Sequence, residues 1–237
     1  MKPHYFICFE GGASGNFIAL LIRALARPEY INEEKNIISP RGSCDAAAAA
    51  SDITYKYANF VMGHNIYPES DETLAVIMNA IADPDNTYKK VSESELDQFD
   101  FDITSIHYTS SRAINSFLKN QHVYVILITI TEEDVDLVAT NHVYKNVDDL
   151  PISTVDDIIA GQKKILLDKI KSSDYINVNN ILHDRLFKLP FNLIYSDHEK
   201  ILKMLSNITN LEINESARQL YKDYMSAQQL ILTRYKL

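Results

Sequence analysis

The chain has little cysteine and no long apolar run. Its two cysteines, Cys8 and Cys44, have no metal-binding spacing and are too few for a disulfide framework, so we expect a reducing, cytoplasmic location. No apolar stretch reaches the length that crosses a bilayer, and no cationic segment followed by an apolar one opens the sequence. We therefore expect no membrane attachment.

Positive charge is also scarce, with 23 Lys and Arg against 32 Asp and Glu and a formal net charge of −9. No cluster of basic residues offsets this balance, which argues against a nucleic-acid partner. The 237 residues are 46% hydrophobic, which is enough to form one substantial core. We predict a single domain over residues 1–237, with a mostly helical part from about residue 151 to 237.

Glycine is rare, and its distribution organises the sequence. Of the six glycines, three fall within the GGASG segment at residues 11–15. The preceding run His4–Phe9 is aromatic and β-branched, as a buried strand is, and residues 17–25 are apolar almost throughout. This order predicts a strand, a glycine turn and a buried helix.

Such a turn directs backbone N–H groups into a small space, and the helix adds the positive end of its dipole. Together they suit a phosphate or a sulfate group. The alternative is a tight turn that binds nothing, and the residues leave both interpretations open.

The standard nucleotide loops do not fit. When Gly15 is taken as the second glycine of a G-x-x-x-x-G-K-[ST] loop, Asn16 falls in the lysine position and Phe17 in the hydroxyl position. A phenylalanine cannot bind magnesium, and Glu10 in the first glycine position repels a triphosphate. The G-G-x-x-G spacing also departs from the dinucleotide fingerprint.

Periodicity along the chain predicts an α/β fold. The VYVILITI segment at residues 123–130 is apolar on both faces, as an interior parallel strand is, and helical patterns separate it from the other strands. We predict three layers, with a central, mainly parallel sheet and helices on both faces. Further strands are expected at residues 58–62, 101–107 and 189–195, and helices at residues 44–51, 70–82, 110–118, 131–142, 155–170, 196–205 and 214–232.

Two histidines follow predicted strands at the edge where the glycine turn lies. His64 comes after residues 58–63, and His107 ends the strand at residues 101–107. Ligands of parallel sheets bind beyond the carboxyl ends of the strands, and histidine titrates near neutral pH. Either residue is therefore a candidate general base, the alternative being a strand-end histidine that is hydrogen-bonded to backbone.

Several segments resemble the sulfotransferase family. The sequence S-G-N at residues 14–16 occupies the S-G-T part of that family's first loop, and SIHY at residues 105–108 resembles the K-T-H-L segment that holds its catalytic base. GHNIYP at residues 63–68 resembles a G-H-x-x-[PY] strand end of other branches, and YSDH at residues 195–198 resembles the family's Y-E-D-L. The resemblance covers most of the chain in order.

The resemblance implies a P-loop NTPase-like, sulfotransferase-like fold. It implies transfer of a sulfuryl group from 3′-phosphoadenosine 5′-phosphosulfate to a hydroxyl or amine of a small molecule, glycan or peptide, without a metal, and with His107 or His64 as the base. Threonines Thr129 and Thr131 fall at the site of the donor's 3′-phosphate. The residues implied at the 5′-phosphate are Gly11, Gly12, Ala13, Ser14, Gly15, Asn16 and Phe17.

Two positions depart from the family pattern. Ala13 stands where the family has Lys or Arg, and Thr129 or Thr131 stands where it has Arg. An Arg–phosphate pair typically contributes ~1.5–3 kcal/mol, which a threonine does not replace. Arg112 or Lys145 could supply a cation, or both could be ordinary surface charges.

The departures leave two other functions open. One is a nucleotide or phosphometabolite transferase with a non-standard loop. The other is a non-catalytic protein that keeps the fold for binding or assembly. The sequence predicts neither the acceptor nor the oligomeric state.

Overall fold

The computed structural model describes residues 3–28, 55–57, 60–62, 74–75, 100–107, 110–146 and 152–235. Six strands lie in these ranges: β1 (His4–Phe9), β2 (Tyr55–Tyr57), β3 (Phe60–Met62), β4 (Asp102–His107), β5 (Val123–Thr129) and β6 (Leu186–Pro190). The helices in these ranges are α1 (Gly15–Ala26), α2 (Ser111–Phe117), α3 (Val135–Asn146), α4 (Ile152–Ile170), α5 (Ser173–Asn180), α6 (Phe191–Ser196), α7 (His198–Thr209) and α8 (Glu215–Tyr235).

The main sheet has the strand order β4-β1-β5-β6, and every pair in it is parallel. His4 of β1 pairs with Asp102 of β4 on one side and with Val123 of β5 on the other. β2 and β3 form a separate antiparallel pair. Because the four strands of the main sheet are parallel, their carboxyl ends meet at one edge, where the glycine turn follows β1.

Two apolar clusters show that helices cover both faces of the sheet. On one face, Tyr5 and Ile7 of β1 pack in a cluster with side chains of α1, α7 and α8. On the other face, Phe6 and Cys8 pack with side chains of α2 and with Val178 of α5. The alternation follows from the two-residue period of a strand. It confirms the predicted α/β class with a parallel sheet.

Helix α1 is deeply buried, and its sequence is apolar apart from Asn16 and the buried Arg23. From Phe17 to Leu25, every one of its side chains is buried. Against it packs α8, whose Tyr221 and Tyr224 are 1% and 0% exposed. These tyrosines belong to the core.

The predicted strand at residues 189–195 is wrong. β6 begins earlier and ends at Pro190, and Phe191–Ser196 form α6. Proline lacks an N–H and suits the residue before a helix, while Phe191 and Ile194, three residues apart, are both buried on one helical face. The segment before β6 contains α5. Its N-cap is Ser172, whose side chain accepts a hydrogen bond from the amide of Tyr175.

Several predictions fall outside the residues that the structure describes. They are the helix at residues 44–51, His64, and most of the helix at residues 70–82, of which Leu74 and Ala75 are helical. The predicted strand at residues 58–62 is described over Phe60–Met62. It pairs with β2 in the separate antiparallel sheet, so within the described residues it does not belong to the parallel sheet that carries the glycine turn, contrary to the expectation from the sequence. Within the described ranges, no helix has both the length and the apolar composition needed to cross a membrane.

Candidate functional site

The candidate site lies at the carboxyl edge of the parallel sheet. The turn of residues 10–14 joins β1 to α1, His107 ends β4 on one side, and Thr129 ends β5 on the other. The fold thus brings together three of the groups that the sequence predicts. His64 lies outside the described residues.

The glycine turn is tight. The amide of Ala13 donates a hydrogen bond of 2.9 Å to the carbonyl of Glu10. Gly12 has a φ of 89° and Ser14 has a φ of 65°, so both occupy the left-handed region. Glycine adopts that region without strain, whereas serine pays a steric penalty there.

Each glycine of the turn lies directly against another group. A Cβ atom at Gly11 would overlap the ring of His142, and one at Gly12 would overlap the carbonyl oxygen of Val138. A Cβ atom at Gly15 would overlap the ring of Phe9. Helix α3 therefore packs on the turn, and close packing by itself requires all three glycines.

The Ser14 hydroxyl points into the protein rather than toward solvent. It forms a hydrogen bond of 2.6 Å with the hydroxyl of Tyr224 and one of 3.3 Å with that of Tyr195. Tyr195 also accepts from the side-chain amide of Asn141 at 2.8 Å and donates to Gln228 at 3.3 Å. We call these five residues the hydroxyl cluster. Ser14 consequently gives no side-chain cap to α1.

Two substitutions at Ser14 separate the hydroxyl from the backbone strain. Ser14→Ala should lower the free energy of unfolding by ~1–3 kcal/mol, because buried Tyr224 loses its closest partner. Ser14→Gly loses the same bond but relieves the left-handed strain, so it should be more stable than Ser14→Ala by ~1 kcal/mol. Urea unfolding measures both values. If Ser14→Ala is as stable as Ser14→Gly, the left-handed backbone at residue 14 does not destabilise the protein.

A buried ion pair lies at the start of the turn. Nζ of Lys169, from α4, is 2.7 Å from Oε2 of Glu10, and the two side chains are only 20% and 13% exposed. Burial raises the pKa of the Glu10 carboxyl above its ordinary value, while Lys169 opposes that rise through its charge and its hydrogen bond. The turn thus holds a cation that its own sequence lacks.

Phe9 links the turn to His107. The two residues are paired in the register between β1 and β4, and their ring centroids are 4.4 Å apart. The Phe9 ring also lies against Gly15, the first residue of α1. The ring therefore contacts both the start of α1 and the His107 imidazole, which is half-buried.

The end of β5 is acidic. The amide and the hydroxyl of Thr131 both donate to Oδ2 of Asp134, at 2.7 and 2.9 Å, and form the cap of the short helical turn Glu132–Asp134. A hydroxyl that already donates to a carboxylate, beside two further acids, does not fit a 3′-phosphate. Thr129 is half-buried at the end of the strand.

The residues after Ser14 have two different environments. Phe17 is buried, and its ring stacks on that of Tyr224 at a centroid distance of 3.8 Å. Asn16 has a buried Oδ1 atom that finds no hydrogen-bond partner within the described ranges. Of the two cations considered above, Arg112 is exposed, and the side chain of Lys145 is not among those that the structure describes.

Sequence reasoning missed His142 and Lys169. His142 and Val138 are four residues apart and share one face of α3, so the pattern could have indicated that this face packs on a neighbour. Nothing local indicated Lys169, because its partner Glu10 is far away in the sequence. The hydroxyl cluster was missed for the same reason.

Comparisons of the chain with protein-family models, with curated proteins and with solved structures found no match.

Proposed function

We propose that this protein is a sulfotransferase-like group-transfer enzyme. Within residues 11–17, backbone amides at the start of α1 bind the 5′-phosphate side of 3′-phosphoadenosine 5′-phosphosulfate, and His107 takes the proton of a hydroxyl or amine acceptor. The bound donor supplies an activated sulfuryl group. The fold is of the P-loop-like, sulfotransferase-like kind, with the turn after its first strand as the anion site.

One observation carries the proposal, namely that the start of α1 and the His107 imidazole both lie against the Phe9 ring. A general base must lie close to the group that is transferred, and a helix start provides uncompensated N–H groups for an anion. Ser14 does not cap these amides, because its hydroxyl is bound in the hydroxyl cluster.

The two ends of the donor differ in how well the chain fits them. The start of α1 and Lys169 suit an oxyanion, whereas the acidic turn after β5 does not suit a 3′-phosphate. We therefore expect the 3′-phosphate to add little affinity. A twofold or smaller difference in affinity between adenosine 3′,5′-bisphosphate and adenosine 5′-monophosphate would agree with this expectation.

Calorimetry with adenosine 3′,5′-bisphosphate tests the proposal, and Asn16→Asp is the most informative variant. A carboxylate in the first turn of α1 is favourable for the helix by ~0.3–1 kcal/mol but repels a bound oxyanion. We expect the affinity to fall at least about tenfold. Because Oδ1 of Asn16 is buried, desolvation of the new carboxylate offsets the gain from the helix dipole, so stability should not rise. Asn207→Asp, at an exposed position of α7, makes the same change in net charge and should leave the affinity unchanged.

Close packing at all three glycines of the turn favours one alternative, a non-catalytic protein in which the turn binds nothing. The same calorimetry separates the two functions. A folded protein that gives no heat with millimolar ligand would exclude the transferase and support the alternative. Binding that resists Asn16→Asp would move the anion site away from α1.

A further inference from the structure

The proposed anion site has no cation in its own loop, since Ala13 is the residue at the position where the resemblance expects one. Among the residues that the structure describes, Lys169 of α4 supplies a cation to the turn and is held 2.7 Å from Glu10. Glu10 in turn immediately precedes Gly11, and its carbonyl closes the turn through Ala13. The ion pair is therefore part of the turn and not a distant surface bridge.

We propose that Lys169 is the cation of the anion site and that Glu10 is its resting counter-ion. An arriving oxyanion displaces the Glu10 carboxylate from Lys169, and the displaced carboxylate takes up one proton from solvent. This inference rests on the proposed function, because it assigns the charge and the pH response of the same site.

The physical reason is electrostatic. A carboxylate and an oxyanion at one small, largely buried site repel each other strongly, because the local dielectric is low. Glu10 is also poorly solvated, and burial already raises its pKa above the ordinary value. Loss of contact with Lys169 removes the interaction that opposes that rise, so the displaced side chain becomes neutral more readily.

Other charged and titratable groups surround the pair, and each must be considered. His142 of α3 lies against Gly11. Burial raises the pKa of Tyr175 of α5, and the nearby charges of Glu10 and Asp134 raise it further. The Tyr175 hydroxyl contacts the backbone of Ile130. Histidine is the residue type here that exchanges a proton near neutral pH, so His142 is the group whose contribution the Glu10→Gln variant must separate from that of Glu10.

The experiment measures the affinity for inorganic sulfate and for adenosine 3′,5′-bisphosphate by calorimetry between about pH 6 and pH 8. Sulfate keeps both of its negative charges throughout this range, so any pH dependence belongs to the protein. For the wild type, uptake of one proton predicts an affinity that falls by up to about tenfold per pH unit. In Glu10→Gln, the affinity should be higher and independent of pH.

Variants at Lys169 test the cation. Lys169→Met should weaken binding of both ligands at least about tenfold, and Lys169→Arg should retain it. Because Lys169→Met leaves Glu10 buried without its counter-ion, the double variant Glu10→Gln/Lys169→Met provides a neutral pair that should fold and still bind weakly. The matched control is Lys163→Met on the same helix, whose lysine pairs with Asp136 at 2.9 Å, and we expect no change in affinity.

Each outcome decides a different claim. The inference is supported if Lys169→Met loses the affinity of the wild type and if Glu10→Gln loses its pH dependence. Binding that ignores both substitutions, or a pH dependence that persists in Glu10→Gln, overturns this inference and leaves the proposed function in place. If neither ligand binds to the wild type or to Glu10→Gln, both proposals fail.

Discussion

Gly12→Ala is expected to lower the free energy of unfolding by about 3 kcal/mol or more. Two costs add at this position, since an alanine at a φ of 89° is strained and its Cβ would overlap the Val138 carbonyl. A backbone carbonyl within α3 cannot move aside as a side chain does, so relaxation must shift the turn or the helix. Urea unfolding, followed by circular dichroism, measures the loss.

The matched control is Gly161→Ala on α4. A Cβ atom at Gly161 meets no other atom within 4 Å, and its φ is not in the left-handed region. Alanine there should raise the stability by ~0.5–1 kcal/mol, because glycine weakens a helix interior. Gly12→Ala with wild-type stability would show that α3 does not pack on the turn, and would remove the main argument for a purely structural role of the glycines.

Phe17→Ala should be comparably severe, with a loss of ~3–5 kcal/mol in the free energy of unfolding. The resemblance places Phe17 in the donor-binding loop, whereas the structure buries it between α1 and α8. Its ring stacks on Tyr224 and meets Tyr221 edge-on at a centroid distance of 5.1 Å. The loss therefore comes from a cavity in the core and from two aromatic contacts.

Phe17→Leu provides the comparison, because it keeps most of the buried volume and should lose less than half as much stability. Chemical denaturation and ligand calorimetry on the same samples distinguish a core residue from a binding residue. If Phe17→Ala unfolds like the wild type but no longer binds adenosine 3′,5′-bisphosphate, the side chain lines the ligand site and its place in the core is wrong.

Local patterns predicted the elements that are close to the sheet. His4–Phe9 and Val123–Thr129 were predictable as strands because both are short apolar runs rich in β-branched or aromatic residues, and Asp102–His107 because its polar and apolar residues largely alternate. The position of His107 at the edge of the sheet also followed from the pattern, since parallel strands place their carboxyl ends together. The prediction of a strand for LPFNLIY at residues 189–195 was wrong, because a short apolar run fits a strand and a helix equally well.

The site was less predictable, because its contacts join distant parts of the chain. The sequence alone suggests that Glu10 is a repulsive charge at the turn, whereas in the structure Glu10 pairs with Lys169. It also suggests that Ser14 binds a ligand, whereas in the structure the Ser14 hydroxyl is hydrogen-bonded to Tyr224. Neither contact has a periodic signature. The glycines illustrate the same limit, since a turn that binds an anion and a turn that admits a close helix require the same residue.

The position of β1 between β4 and β5 has a consequence for biosynthesis. During translation, β1 and α1 are made first, yet the strands that flank β1 begin only at Asp102 and Val123. Until those segments leave the ribosome, the apolar strand β1 lacks both of the strands that flank it, and contacts of such long sequence separation form slowly. The growing polypeptide is thus most prone to aggregate before its second half is synthesised, and a chaperone that shields apolar nascent segments would act in that interval.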